Sequence, residues 1–219
     1  MGQIVDLNDG STGYLASSGK SDAPGIVVIQ EWWGLQDQIK SVCDAYAEAG
    51  FDALAPALYA GAVVPYHDEE AAARQMDALH FPSATDVQVR AAAGYLQRPG
   101  RKIGLTGFCL GGIVSVLGAI RLDCFAAASC YYGLPAPEQG DPADVRIPIR
   151  GHFALADSWC TLSMVKEFEA GLDAAGKDHA FYIYDCDHGF FNPDIDEYDP
   201  KAATLAWQRD LAFWDEYLR

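Results

Sequence analysis

An α/β fold, with a mostly parallel sheet covered by helices on both faces, is predicted for this sequence by three observations. Short apolar runs rich in β-branched residues, such as G-I-V-V-I-Q at 25–30, alternate along the chain with longer segments of helical periodicity. An apolar run at 103–106 passes through G-F-C-L-G-G into a second apolar stretch at 113–120, the layout of a strand, a tight turn and a helix. The chain has 219 residues, half of them hydrophobic, enough for one well-buried domain and too few for two of typical size. A single domain over 1–219 is expected, with a minimal lid and therefore a shallow pocket for a small substrate.

Residues 12–16 read as an edge strand. The run at 25–30 lacks polar alternation, as befits a strand covered on both faces. Leu35, Ile39, Val42, Tyr46 and Ala49 share one helical face, and Gly50 supplies the stop. Residues 52–56 form a short strand leading into the loop Tyr59-Ala60-Gly61. The Ala-rich segment 67–79 is helical, and Ser83 or Thr85 caps a further helix reaching Gln97. Strands follow at 101–106, 125–131, 145–153 and 179–184, with helices at 158–175 and 201–218. Asp199-Pro200 is a favourable N-cap and first-turn pair for the last helix. Trp207, Leu211, Trp214 and Leu218 recur on one face of it, as core packing rather than a cofactor site.

Fifteen basic against 31 acidic residues give a net charge of -16, poorly suited to nucleic acid or an anionic membrane. The N-terminal segment has no basic start followed by an apolar run, and no stretch approaches roughly 18 unbroken apolar residues. The six cysteines are scattered without a C-x-x-C pair, which predicts reduced thiols in a cytoplasmic protein. Nucleotide-binding glycine patterns are absent, and the run Asp185-Cys186-Asp187-His188 has poor geometry for one ion, so neither cofactor nor metal is expected. A monomer acting on a small molecule is the expected assembly.

G-x-C-x-G between a strand and a helix is the nucleophile-elbow pattern with a thiol in place of the serine hydroxyl. The turn demands near side-chain-free neighbours, which Gly107, Gly111 and Gly112 provide, and the following helix N-terminus favours a thiolate at Cys109. The competing reading is an ordinary buried cysteine. An elbow needs an acid and then a histidine later in the chain. His188 lies just past the 179–184 strand, next to Gly189. Asp157, in the loop after the preceding strand, is the candidate orienter, with a helix N-cap as its other reading. Asp187 is the weaker choice. The oxyanion hole would be the amides of Leu110 and Trp32. Glu31, in the same loop as Trp32, either lies near Cys109 or caps the next helix.

Together, Q-E-W-W-G at 30–34, G-F-C-L-G-G, the Asp of A-L-A-D and D-H-G-F resemble the dienelactone hydrolase family of α/β-hydrolases, in matching order over nearly the whole chain. The resemblance implies Cys109 as nucleophile, His188 as base and Asp157 as its partner, with Glu31 holding the resting thiol protonated. It implies hydrolysis of a carboxylated enol-lactone to maleylacetate without metal or cofactor. Relatives clamp the substrate carboxylate with two arginines; here Arg74 is the candidate for the first, and Asn192 occupies the second position. Tyr131, Tyr132 and Trp32 are pocket candidates, with packing as the alternative for the tyrosines. Asn192 leaves open a related esterase without dienelactone activity, and beyond it a thiol-sensing protein without turnover. Arg150, in a predicted strand, must be paired or lie at the strand's exposed end.

Overall fold

The computed structural model describes residues 2–219. In chain order it contains β1 (Gln3–Asp6), β2 (Thr12–Ala16), β3 (Gly25–Ile29), α1 (Asp37–Glu48), β4 (Asp52–Pro56) and α2 (Glu69–Ala78). Next, α3 (Phe81–Ser83) runs through a π-helical turn, Ala84–Val89, into α4 (Arg90–Leu96). Then come β5 (Ile103–Phe108), α5 (Leu110–Arg121), β6 (Ala127–Tyr131), β7 (Ile149–Ala154), α6 (Leu162–Ala174), β8 (His179–Tyr184) and α7 (Pro200–Leu218).

The eight strands form one sheet in the order β1-β2-β4-β3-β5-β6-β7-β8, parallel from β4 to β8 and antiparallel at the β1 and β2 end. Alternation along the central strands sets the two layers. Ile26 and Val28 of β3 join the side chains of α1 and α7 on one face, whereas Val27 and Ile29 join those of α4, α5 and α6 on the other. Two glycines let helices approach closely. A Cβ on Gly104 would meet the Trp214 ring at 2.8 Å, and one on Gly118 would meet Leu105 at 2.3 Å.

Some boundaries differ from expectation for local reasons. Residues 12–16 are not the edge, because β1 pairs outside them; β1 is largely exposed and carries no hydrophobic alternation to announce it. The helix expected from Ser83 begins at Phe81, capped by His80 through its Nδ1. The helix expected from 158 begins at Leu162, because Thr161 is its N-cap and a turn around Asp157 occupies the preceding residues. The strand expected from 145 begins at Ile149, after Pro148. Arg150 is paired with Asp178 at 3.1 Å and stacks on Phe213.

Neighbouring strands β3 and β5 are where the winding reverses: the chain goes from β3 outward to β4 on one side and from β5 outward to β6 on the other. Helices depart to opposite faces there, opening a crevice beyond the strands' carboxyl ends. Glu31 and Trp32 follow β3, and Cys109 follows β5, so topology alone brings them to the same crevice.

Candidate active site

Cys109 sits between β5 and α5 with φ 55° and ψ −117°, a conformation that costs a non-glycine residue roughly 1–3 kcal/mol and persists only under surrounding constraint. That constraint is backbone against backbone. A Cβ on Gly111 would lie 2.4 Å from the Ile29 carbonyl oxygen, and one on Gly107 would lie 2.2 Å from that of Gly111. The Cys109 amide donates to the Tyr131 carbonyl at 3.0 Å, tying the turn to β6. One glycine outside the motif matters as much: a Cβ on Gly133 would fall 2.0 Å from the Cys109 carbonyl oxygen.

The loops after β7 and β8 are adjacent because these strands pair, with Ala154 opposite Tyr184. They bring Asp157 against His188, whose Nδ1 lies 2.8 Å from Asp157 Oδ2 and whose Nε2 lies 3.2 Å from Cys109 Sγ. Asp157 Oδ1 accepts the amides of Trp159 and Cys160 at 2.7 and 2.9 Å. The carboxylate thus closes a turn with one oxygen and faces the imidazole with the other, so it is not the N-cap of α6. Burial alone would pull the His188 imidazolium down, but the hydrogen bonds and charges of Asp157 and Cys109 outweigh it and push it up to about 10. Asp187 is exposed and accepts only the His188 amide.

Glu31 is buried and does not cap α1. Its Oε1 accepts from the Tyr132 hydroxyl at 2.9 Å and its Oε2 from Asn192 Nδ2 at 2.7 Å. Burial raises its carboxyl, partly offset by these two donors and by His188. Among the described residues no hydrogen bond joins Glu31 to Cys109; the thiol faces the imidazole instead. Tyr132 holds its position with φ 37°.

A cavity of about 720 Å³ opens above Cys109, within the range of small-ligand sites and roomier than the shallow pocket expected beneath a minimal lid. Its walls come from the segment after β4, through Tyr66, Glu69 and Met76, and from the loop before α7, through Asp194 to Glu197. Trp32, Leu110 and Tyr132 line it. Three expected binding residues do not. Arg74 lies on the exposed side of α2, paired with Glu70. Tyr131 is buried beneath the site, its hydroxyl donating to Asp210 and its ring stacked on His152. Asn192 is buried behind Glu31. No three His, Cys, Asp or Glu side chains are grouped to hold a metal ion among the described residues.

A sequence model of the dienelactone hydrolase family matches residues 12–218. The chain belongs to that family. Its similarity to the Protein usf of Aquifex pyrophilus is 31% identity over 231 residues, covering all of both chains. A protein of Aquifex aeolicus strain VF5, provisionally named a carboxymethylenebutenolidase, is 30% identical over 234 residues with the same full coverage. A crystal structure of a provisionally assigned dienelactone hydrolase from Klebsiella pneumoniae subsp. pneumoniae MGH 78578 superposes with a TM-score of 0.88 at 24% identity, covering 99% of each chain. As a member of the dienelactone hydrolase family the chain is a hydrolase of the ester and lactone class. No helix among the described residues is long and apolar enough to cross a membrane.

Proposed function

We propose that this dienelactone hydrolase family member cleaves a small ester or lactone through a Cys109 thioester. The observation that carries the reading is His188 standing between Cys109 Sγ and Asp157 Oδ2 at 3.2 and 2.8 Å, nucleophile, base and orienter in line. The thiolate attacks the carbonyl carbon. The oxyanion is held by the amides of Leu110, at the first turn of α5, and of Trp32, neither of which donates to a backbone carbonyl among the described residues. The tetrahedral intermediate collapses as the C–O bond breaks and the His188 imidazolium gives its proton to the departing oxygen. Water then loses a proton to neutral His188 and attacks the thioester, and the sulfur departs as thiolate, releasing the acid and restoring the thiolate beside the His188 imidazolium.

Acylation also resets the base. Two of the influences that hold the imidazolium up come from Cys109, and a thioester sulfur supplies neither. Burial then pulls His188 down against Asp157 alone, which prepares it to accept a proton from water.

Opening of a carboxylated dienelactone to maleylacetate is the reaction the family resemblance supports. A second reading, a related esterase of uncharged substrates, is favoured by two placements: Arg74 pairs with Glu70 on the surface, and Asn192 is committed to Glu31. Ultraviolet-monitored hydrolysis of cis- and trans-dienelactone beside a simple aryl acetate, by the parent and Cys109→Ala, tests both. Loss of dienelactone that depends on Cys109 supports the first reading, and aryl acetate turnover alone supports the second. An alanine variant as active as the parent would overturn the thioester mechanism.

A further inference from the structure

The cavity above Cys109 has an unusual balance of charge. Among the described residues, Glu31, Glu69, Asp187, Asp194, Asp196 and Glu197 line it together with His67 and His188, and no lysine or arginine does. Of these, Asp187 and the four carboxylates contributed by α2 and the loop before α7, Glu69, Asp194, Asp196 and Glu197, are exposed. None of the four is salt-bridged to a basic side chain among the described residues, whereas the one arginine expected here points away. His188, on the cavity floor, is engaged by Asp157 and Cys109.

The walls are aromatic. Trp32 meets Trp33 edge-on at 5.0 Å between ring centroids and Trp159 at 5.7 Å, and Trp33 meets Tyr66 at 5.5 Å. All four line the cavity, and Trp159 is 63% exposed, a large ring left open to a ligand. Aromatic faces beside carboxylates form the chemistry that recognises organic cations. A carboxylate entering the same space meets like charges on the rim, no fork of N–H donors, and the field of a chain carrying a net charge of -16.

Resting on the reading of this cavity as the cleft of an ester hydrolase, the geometry points to a substrate that carries a positive charge, an alkylammonium ester or lactone, with carboxylated substrates disfavoured. The aromatic wall takes the cationic head, the rim carboxylates draw it in, and the ester carbonyl reaches Cys109.

Two measurements separate this inference from the reading beneath it. The first needs no hydrolysis: the rate at which Cys109 is modified by methanethiosulfonates bearing a trimethylammonium or a sulfonate head, corrected with Cys109→Ala. The cation-to-anion rate ratio should exceed that of a free small thiol by roughly tenfold at low salt, and contract at 0.5 M salt on the order expected for screened surface charges. It should also contract in the combined variant Glu69→Gln, Asp194→Asn, Asp196→Asn, Glu197→Gln, whose exposed positions leave the core untouched. A ratio equal to that of the free thiol overturns the inference. The second compares kcat/KM for p-nitrophenyl esters of 4-(trimethylammonio)butyric acid, its tert-butyl isostere and glutaric acid. Cation above isostere above anion supports the inference, and an anion matching the isostere overturns it. If no ester is hydrolysed but the methanethiosulfonate ratio is high, charge selection stands and the Cys109 thioester reading falls.

Discussion

Asn192 donates from Nδ2 to Glu31 Oε2 at 2.7 Å, and both side chains are buried. With the Tyr132 hydroxyl on the other oxygen, the glutamate is fixed from two sides and the thiol is left to His188. Asn192→Ala removes one donor from a buried carboxylate. It should destabilise the fold by about 1–3 kcal/mol and move the Glu31 carboxyl further upward, since that donor holds it down. Asn192→Arg should not create a carboxylate clamp, because the position faces Glu31 from within the core. Overpacking should cost about 1–3 kcal/mol. Urea unfolding checks the first effect. A stable arginine variant with a lower KM for a carboxylated lactone would contradict the second.

His188 yields a prediction with a definite sign. Its folded-state pKa, about 10, lies above the ordinary 6.5, so protonation favours the folded state. That contribution is complete below pH 6.5 and is lost as pH rises through 10. The stability difference between the parent and His188→Gln should therefore be largest in mild acid and shrink above neutrality. Alkylating Cys109 removes its hydrogen bond and its charge, and should bring the imidazole pKa down. Nuclear magnetic resonance titration of the ring protons before and after alkylation reads this directly; an unchanged value would show that Cys109 does not hold the proton on His188.

Two glycines should respond to alanine in opposite directions. Gly133→Ala places a Cβ 2.0 Å from the Cys109 carbonyl oxygen, so β6 and the elbow must part. The expected result is loss of Cys109-dependent turnover of at least a hundredfold, of the size a displacement near 1 Å produces, with reduced stability. Gly94 lies exposed in α4, with nothing within 4 Å of an added Cβ. Its replacement should stabilise the protein by about 0.5–1 kcal/mol through helix propensity and leave turnover unchanged. Melting temperatures and ester hydrolysis by both variants check the pair.

The arrangement of Cys109, Asp157 and His188 was legible because each lies just past a strand that its apolar run announces, in the chain order nucleophile, acid, histidine. At the elbow, the glycines on both sides of Cys109 also have a steric reason, since a Cβ on Gly107 or Gly111 would meet backbone atoms. Side-chain direction was not legible in the same way. Arg74 and Glu70 are one helical turn apart and pair with each other, a choice of rotamer that spacing alone leaves undecided. Gly133 carries no motif because the atom it accommodates lies 24 positions upstream in sequence. Strand β1 escaped because three of its four side chains are exposed and only Val5 reaches the core. Asp210 did leave a signal. It shares a helical face with Ala203, Ala206, Phe213 and Trp214, and a charge at such a position needs buried partners.

Those partners make the last prediction. Asp210 Oδ1 accepts from Ser129 Oγ at 2.7 Å and from His152 Nε2 at 2.9 Å; Oδ2 accepts from Tyr131 at 2.9 Å and Tyr46 at 3.2 Å. With the carboxylate taking the Nε2 proton, His152 Nδ1 accepts from the Tyr184 hydroxyl at 2.8 Å, and Arg209 donates to that same hydroxyl at 3.1 Å. The network ties α7 to α1, β6, β7 and β8 directly beneath the site. Asp210→Ala strands four buried donors at once and should cost about 3–5 kcal/mol. Asp210→Asn keeps one accepting oxygen, while its amide can donate to a rotated tyrosine hydroxyl, so it should cost less. Because Asp210 touches none of the reacting atoms, whatever folded protein remains should keep its rate of Cys109 alkylation. Denaturant midpoints measure the cost. An alkylation rate that collapses in fully folded Asp210→Asn would show instead that the network sets the geometry of the elbow through Tyr131.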